Sequence, residues 1–202
     1  MNVNDVEVKV DSGDMLEAIF KRQEELEQKY RSVEERQGVG YGLLNGQEFN
    51  IDHIRSQELL KNFAWRVVEE LTEATDAHDR MHFVEELIDA LHFLVSLALV
   101  VDLKPSEIVA ENFLDKLEYL SRGDGSVYGI IQQIGLAMNC LKQKPWKQTH
   151  ILTDTAKLKT HIQLAFYEFM GFCRESGISP TIVYEVYFKK NTVNHFRLRS
   201  GY

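Results

Sequence analysis

The stretch from Val67 to Leu99, VVEELTEATDAHDRMHFVEELIDALHFLVSLAL, constrains the fold more than any other part of the chain. It holds two acidic helical segments facing each other across a short polar break. The first carries Glu69, Glu70 and Glu73, and the second carries Glu85, Glu86 and Asp89. Glu70 and Glu73 are three residues apart, as are Glu86 and Asp89, and on a helix that spacing puts both carboxylates of a pair on one face. The neighbours Val67, Val68, Leu71, Val84, Leu87, Leu91, Leu94 and Val95 are apolar. The acids therefore border a stripe that the fold has to bury.

Four carboxylates facing one another near a core are costly. Their repulsion and desolvation raise their pKa values unless positive charge compensates. A hard divalent cation is the usual compensation, and Mg²⁺ takes oxygen ligands from a few carboxylates while substrate phosphates complete its octahedron. One such pair is what any amphipathic helix with solvated acids shows, because glutamate is a good helix former. A second pair, embedded in apolar residues on the next helix, turns the reading towards a metal site.

Composition sets bounds on the partners. At 202 residues the chain is long enough to bury a core and to form one domain over 1–202. A net charge of −8 argues against a general nucleic-acid binder, but leaves room for a nucleotide, since bound metal inverts the local field. Cys140 and Cys173 lack metal-ligand spacing and lie in apolar helical contexts, as reduced core residues of a cytoplasmic protein do. The N-terminus, with Asp5, Glu7 and Asp11, has no signal-peptide character. The longest apolar run, Ala90 to Val101, is interrupted by His92 and Ser96 and is too short to span a membrane.

With only 3 prolines and no strand pattern, the chain reads as an all-α helical bundle. Residues 1–12 form a loose leader. Asp14 or Ser12 caps a helix from Met15 to Tyr30 that places Leu16, Ile19, Phe20, Gln23, Leu26 and Tyr30 near one face. GVGYGLLNGQEFN, ending at Asn50, is a glycine-rich loop without the spacing of a P-loop. A long helix follows from Ile51 to Ala77, then a break to Met81, then a helix to Val101. Residues 102–176 form a helical insert or cap, with helices over Ile108–Ser121, Val127–Lys142 and Ala156–Ser176. A turn at Arg122–Ser126 and a polar loop around Pro145 and Trp146 separate them. The last helix spans Thr181 to Phe196. Trp65 and Phe63 read as core, and His92 as a hydrogen-bonded core histidine.

The last helix carries Lys189, Lys190, Asn191, Asn194, Arg197 and Arg199 in an otherwise acidic protein. Lys190, Asn194 and Arg197 are spaced four and three apart and share a face. A basic end also suits the helix dipole. Paired with a four-carboxylate metal site, however, a Lys/Asn/Arg face is the equipment for a nucleoside polyphosphate: the metal screens the phosphates from the acids, and Lys and Arg bind the remaining oxygens.

The order ExxE, then ExxD within IDALHF, then YxxKNxxNxFRxxxGY resembles the dimeric, all-α dUTPase family, which includes phage dCTPase-dUTPases and belongs with the MazG-like NTP pyrophosphatases. The resemblance covers roughly Met15 to Tyr202 and is weaker around Ser126 to Leu136. It implies Mg²⁺ ligands at Glu70, Glu73, Glu86 and Asp89. It also implies phosphate or nucleotide contacts at Lys190, Asn194, Arg197 and Tyr202, and a homodimer. Family members read a pyrimidine edge with a Gln and an Asn four apart on the first helix. Here Gln23 matches the Gln, while Glu27 occupies the Asn position. The tryptophan-rich stretch that often follows the first acidic pair is absent. The chain stops at Gly201-Tyr202, as the phage enzymes do, and a phage origin would place it in the host cytoplasm.

The expected chemistry is Mg²⁺-dependent hydrolysis of dUTP or dCTP to the monophosphate and diphosphate. The catalytic candidates are Glu73 and Glu70, with Glu73 as general base because it lies deepest in the apolar setting of its pair. Two alternatives stand beside it. One is a non-catalytic helical dimer that binds a partner protein through its basic tail. The other is a MazG-like house-cleaning hydrolase of another NTP. His78, His82 and His92 do not converge at transition-metal spacing, and the Glu-x-x-His pairs of a di-iron bundle are missing.

Overall fold

The computed structural model describes residues 14–37, 49–108, 125–144, 146, 148 and 150–200. Seven helices are found among them: α1 (Met15–Gln37), α2 (Ile54–Thr75), α3 (Arg80–Val100), α4 (Pro105–Ile108), α5 (Val127–Asn139), α6 (Thr155–Glu175) and α7 (Pro180–Ser200). There is no strand among the described residues, so the all-α expectation holds.

Short polar side chains set the helix starts by satisfying the first free N–H groups. Asp14 Oδ1 accepts from the amides of Leu16 and Glu17 at 3.0 and 3.1 Å. Asp79 Oδ1 accepts from His82 N at 2.9 Å, which starts α3 and fixes the polar break between the two acidic helices. Ser126 and Asp154 do the same for α5 and α6. At the end of α6 the chain turns through Gly177, with φ at +67°, and Ile178 N donates back to Cys173 O at 2.8 Å. That left-handed closure favours glycine. Gly125 has φ at +59°, and a Cβ there would lie 2.6 Å from the backbone of Gly171, so the approach to α6 requires a residue without a side chain.

α3 is the axis of the bundle. Leu87, Ile88, Ala90, Leu94, Val95, Leu97 and Ala98 are all fully buried. α2 packs along α3 as an antiparallel partner, α1, α6 and α7 contact its other faces, and α5 pairs with α6. Phe20 of α1 meets Phe166 of α6 with ring centroids 5.8 Å apart, closing the core beneath α3. Both cysteines are buried thiols, and burial pushes Cys173 up to about 12. No helix among the described residues is long and apolar enough to cross a membrane.

Two helices run further than their apolar periodicity predicts. α1 continues from Tyr30 to Gln37 and α7 from Phe196 to Ser200. The added turns carry the helix-forming charged residues Arg31, Glu34, Glu35 and Arg36, and then Arg197 and Arg199 near a C-terminus, where cations suit the dipole. The leader 1–12, most of the glycine-rich loop, the expected helix beyond Ile108, residues 122–124 of the expected turn and Tyr202 lie outside the described residues.

Candidate functional site

The two acidic pairs come from α2 and α3, whose antiparallel packing sets their carboxylates against each other. Carboxylate oxygens of Glu70, Glu73 and Glu86 all lie within 4.8 Å of one another. Burial first, and then the charges of Asp89, Glu73 and Glu86, push the Glu70 carboxyl up to about 7, with Arg66 only partly offsetting them. A cluster of oxygen donors holding one acid near neutrality is short of positive charge. Its donor set fits a hard cation such as Mg²⁺.

Asp89, the fourth candidate, is bound instead to a cation from α7. Lys190 Nζ forms an ion pair with its carboxylate and also donates to Glu85 O at 3.1 Å. Burial holds the Asp89 carboxyl above its ordinary range even so, with Lys190 pulling it back down. Glu86 accepts from His82 Nε2 at 2.9 Å. The expectation that Glu73 lies deepest in its pair is not met: Glu73 is exposed and Glu70 is half-buried. Residues three apart differ by about 60° around a helix axis, so Glu70 lies towards the Val67–Leu71 seam and Glu73 towards the rim.

Beside the carboxylates, α1, α2, α3 and α7 enclose a cavity of about 340 Å³. Gln23 and Glu27 line it from α1, Phe63 and Arg66 from α2, His92 and Phe93 from α3, and Asn194 from α7. Two aromatic rings from facing helices, Phe63 and Phe93, lie 6.4 Å apart at this cavity. Phe63 is therefore a cavity wall and not simply core. Trp65 is not core either, being 62% exposed with its indole N–H donating to Glu69 at 2.9 Å. Tyr30 joins the two halves of the site: it lines the cavity, and burial first, then Glu27, raises its phenol pKa while Arg197 lowers it and Asp89 raises it.

The polar walls of the cavity are tightly organised. Gln23 is buried; its Nε2 donates to Glu27 Oε1 at 3.2 Å and to Ser96 Oγ at 3.0 Å, and its Oε1 accepts from Tyr187 O–H at 2.6 Å. Ser96 Oγ lies 2.5 Å from Glu27 Oε1. His92 is buried as expected, but neither ring nitrogen has a hydrogen-bond partner among the described residues. Burial, helped by the charge of Lys190, pushes His92 down to about 3, so the ring is neutral, and it packs against Tyr187 with centroids 4.0 Å apart and planes tilted by 42°.

Of the residues expected to meet phosphate, Lys190 is at the carboxylates, Asn194 is at the cavity, and Arg197 is on the exposed rim. Asn191, in the same motif, ties α7 to α1 by donating to Arg22 O at 3.4 Å. The sequence reading missed Ser96, Tyr187 and Phe93 as site residues. A signal for the first was present: Asp89, His92 and Ser96 follow one another at spacings of three and four. They extend the acidic face of α3 into its apolar half.

A family model described as dUTPase matches residues 15–202. No curated protein and no solved structure matches the chain.

Proposed function

This chain belongs to the all-α dUTPase family, whose activity is of the dUTP diphosphatase type, and we propose that it hydrolyses both dUTP and dCTP with Mg²⁺ as a homodimer. The products are the nucleoside monophosphate and diphosphate. The observation that carries this reading is a carboxylate cluster on α2 and α3 next to an aromatic-walled cavity flanked by the same two helices, whose lining residues Arg66 and Tyr30 feel the charges of Glu70, Glu73 and Asp89. The first suits a cation and phosphates; the second has the size and polar walls for a pyrimidine nucleoside.

Glu70, Glu73, Glu86 and Asp89 would hold the cation. Once bound, Mg²⁺ supplies Lewis-acid stabilisation of the phosphate oxygens and activation of the attacking water. The chain's own residues do the rest. Glu73 is the exposed member of the cluster, so it is the carboxylate a solvent molecule reaches first, and we assign it the general-base role. Lys190, Asn194 and Arg197 meet the phosphates. Lys190, now paired with Asp89, is the side chain placed to turn to phosphate oxygens if Asp89 were to hold the cation. Phe63 and Phe93 bound the base, and Gln23 and Glu27 read its edge.

Incubating the purified protein with each dNTP and Mg²⁺, with diphosphate as readout, tests the assignment. Release from dUTP and dCTP, abolished by chelation, is the expected result. A folded protein that releases none from any dNTP would instead be a helical interaction module. Sedimentation at micromolar concentration should give a dimer, whose isologous interface would typically bury about 1,600 Å². A monomer would overturn the assembly.

A further inference from the structure

Four side chains around the cavity form a hydrogen-bond relay with one direction. Tyr187 O–H donates to Gln23 Oε1 at 2.6 Å, and Gln23 Nε2 donates to Ser96 Oγ at 3.0 Å and to Glu27 Oε1 at 3.2 Å. Ser96 O–H completes it, 2.5 Å from the same Glu27 oxygen, in preference to the carbonyl of His92 at 3.0 Å. A hydroxyl has one proton, and a charged acceptor binds it more strongly than a neutral one.

The charge on Glu27 fixes the orientation of the Gln23 amide. Turned over, the amide would place its own oxygen against the Glu27 carboxylate and lose both donations. In the observed orientation both N–H groups and one lone pair of Gln23 are used within the protein. Gln23 therefore has no spare donor for a ligand. Both bonds to Glu27 land on Oε1, which leaves Oε2 for whatever enters the cavity.

We propose that Tyr187 and Ser96 are positioning residues for base selection: they lock Gln23 and Glu27 so that the site presents a pre-set carboxylate acceptor to the pyrimidine. A pre-set acceptor favours a base edge that offers a donor where the carboxylate points, as the exocyclic amine of cytosine does, over one that offers a carbonyl oxygen. Neither residue needs to touch the nucleotide for this. Tyr187 acts through Gln23, from a fully buried position with its ring tilted against His92. The proposal rests on the reading that this cavity takes a pyrimidine nucleotide.

The test compares wild type with Tyr187→Phe, Ser96→Ala and Ser96→Thr. Their kinetics on dCTP and dUTP, and calorimetric binding of dCMP and dUMP, are measured on the same preparations. Phe keeps the ring and its contact with His92 but removes the donor to Gln23; Ala removes the link to Glu27; Thr keeps the hydroxyl. The dCTP/dUTP ratio should move towards dUTP by about tenfold in Tyr187→Phe and Ser96→Ala, carried by KM and mirrored in the monophosphate affinities. Ser96→Thr should hold the wild-type ratio. Equal losses on both bases, or a ratio within twofold of wild type in both variants, would overturn the proposal and leave Tyr187 and Ser96 as packing residues. Wild-type protein that neither hydrolyses nor binds a pyrimidine nucleotide would remove the reading beneath it, a separate outcome that also ends the proposal.

Discussion

Glu73→Gln should lower Mg²⁺-supported hydrolysis by about a thousandfold or more while leaving the cation-free protein folded, and Asp89→Asn should do the same. The magnitude follows from what a bound cation supplies, several kcal/mol of transition-state stabilisation, at about 1.4 kcal/mol for each factor of ten. For Glu73→Gln, survival of the fold follows from the electrostatics, since the cluster brings three carboxylates together and deleting one charge relieves repulsion. Asp89→Asn keeps the side-chain shape but gives up the ion pair with Lys190, so its melting temperature should fall below that of Glu73→Gln. Turnover is measured at saturating Mg²⁺, beside the melting temperature; near-wild-type turnover in either variant would remove that residue from the site. Glu70 gives a second readout that needs no substrate. Its carboxyl is at about 7 in the folded protein against an ordinary 4.5. The native state therefore binds more protons than the unfolded chain between those values, so the cation-free protein loses stability as pH rises from about 4.5 to 7. Glu70→Gln should raise the melting temperature at pH 8 and bring no such gain at pH 4. Mg²⁺ should stabilise wild type at pH 8 and the variant much less. A Glu70→Gln protein that melts lower than wild type at pH 8 would show that burial does not penalise this charge.

The helices were legible because their signals are local. Period, caps and glycine placed α2 at Ile51–Ala77, against the observed Ile54–Thr75, and the second acidic helix ended at Val101, against Val100. The meeting of Glu70, Glu73 and Glu86 was legible as well, because two acidic pairs on consecutive helices joined by a short break leave few other ways to pack. Depth was not legible. Spacing gives the face but not which member of a pair is at the seam, and so the more exposed position of Glu73 needed the packing of α2 on α3. Nor were pairings between distant segments. Lys190 with Asp89 and Tyr187 with Gln23 join residues more than 100 positions apart, and no periodicity specifies them. Phe63 was misread for a related reason: an aromatic at helical spacing looks the same whether it faces a packed core or the wall of a cavity.

Glu27→Asn should shift the preference between bases towards dUTP by about tenfold or more, the cost of about 1–3 kcal/mol for a buried mismatch of acceptors. Uracil offers an N3–H donor between two carbonyl oxygens; cytosine offers an exocyclic amine beside an N3 acceptor. An ionised Glu27 accepts from the amine and repels a carbonyl oxygen brought to the same place. Wild type should therefore accept dCTP at least as well as dUTP. Asparagine changes two things at once. It can donate to the uracil oxygen, and being neutral it no longer forbids the Gln23 amide from turning over, because the carboxylate that received Gln23 Nε2 and Ser96 Oγ is gone. The freed Gln23 can then complement either edge, which removes discrimination against uracil as well as adding an attraction. The steady-state kcat/KM ratio of dCTP to dUTP, measured for both proteins in one buffer with saturating Mg²⁺, decides it. If wild type hydrolyses dUTP alone and the ratio is untouched by Glu27→Asn, then Glu27 does not read the base, and the hydrogen bond it accepts from Ser96 serves only to hold α1 against α3.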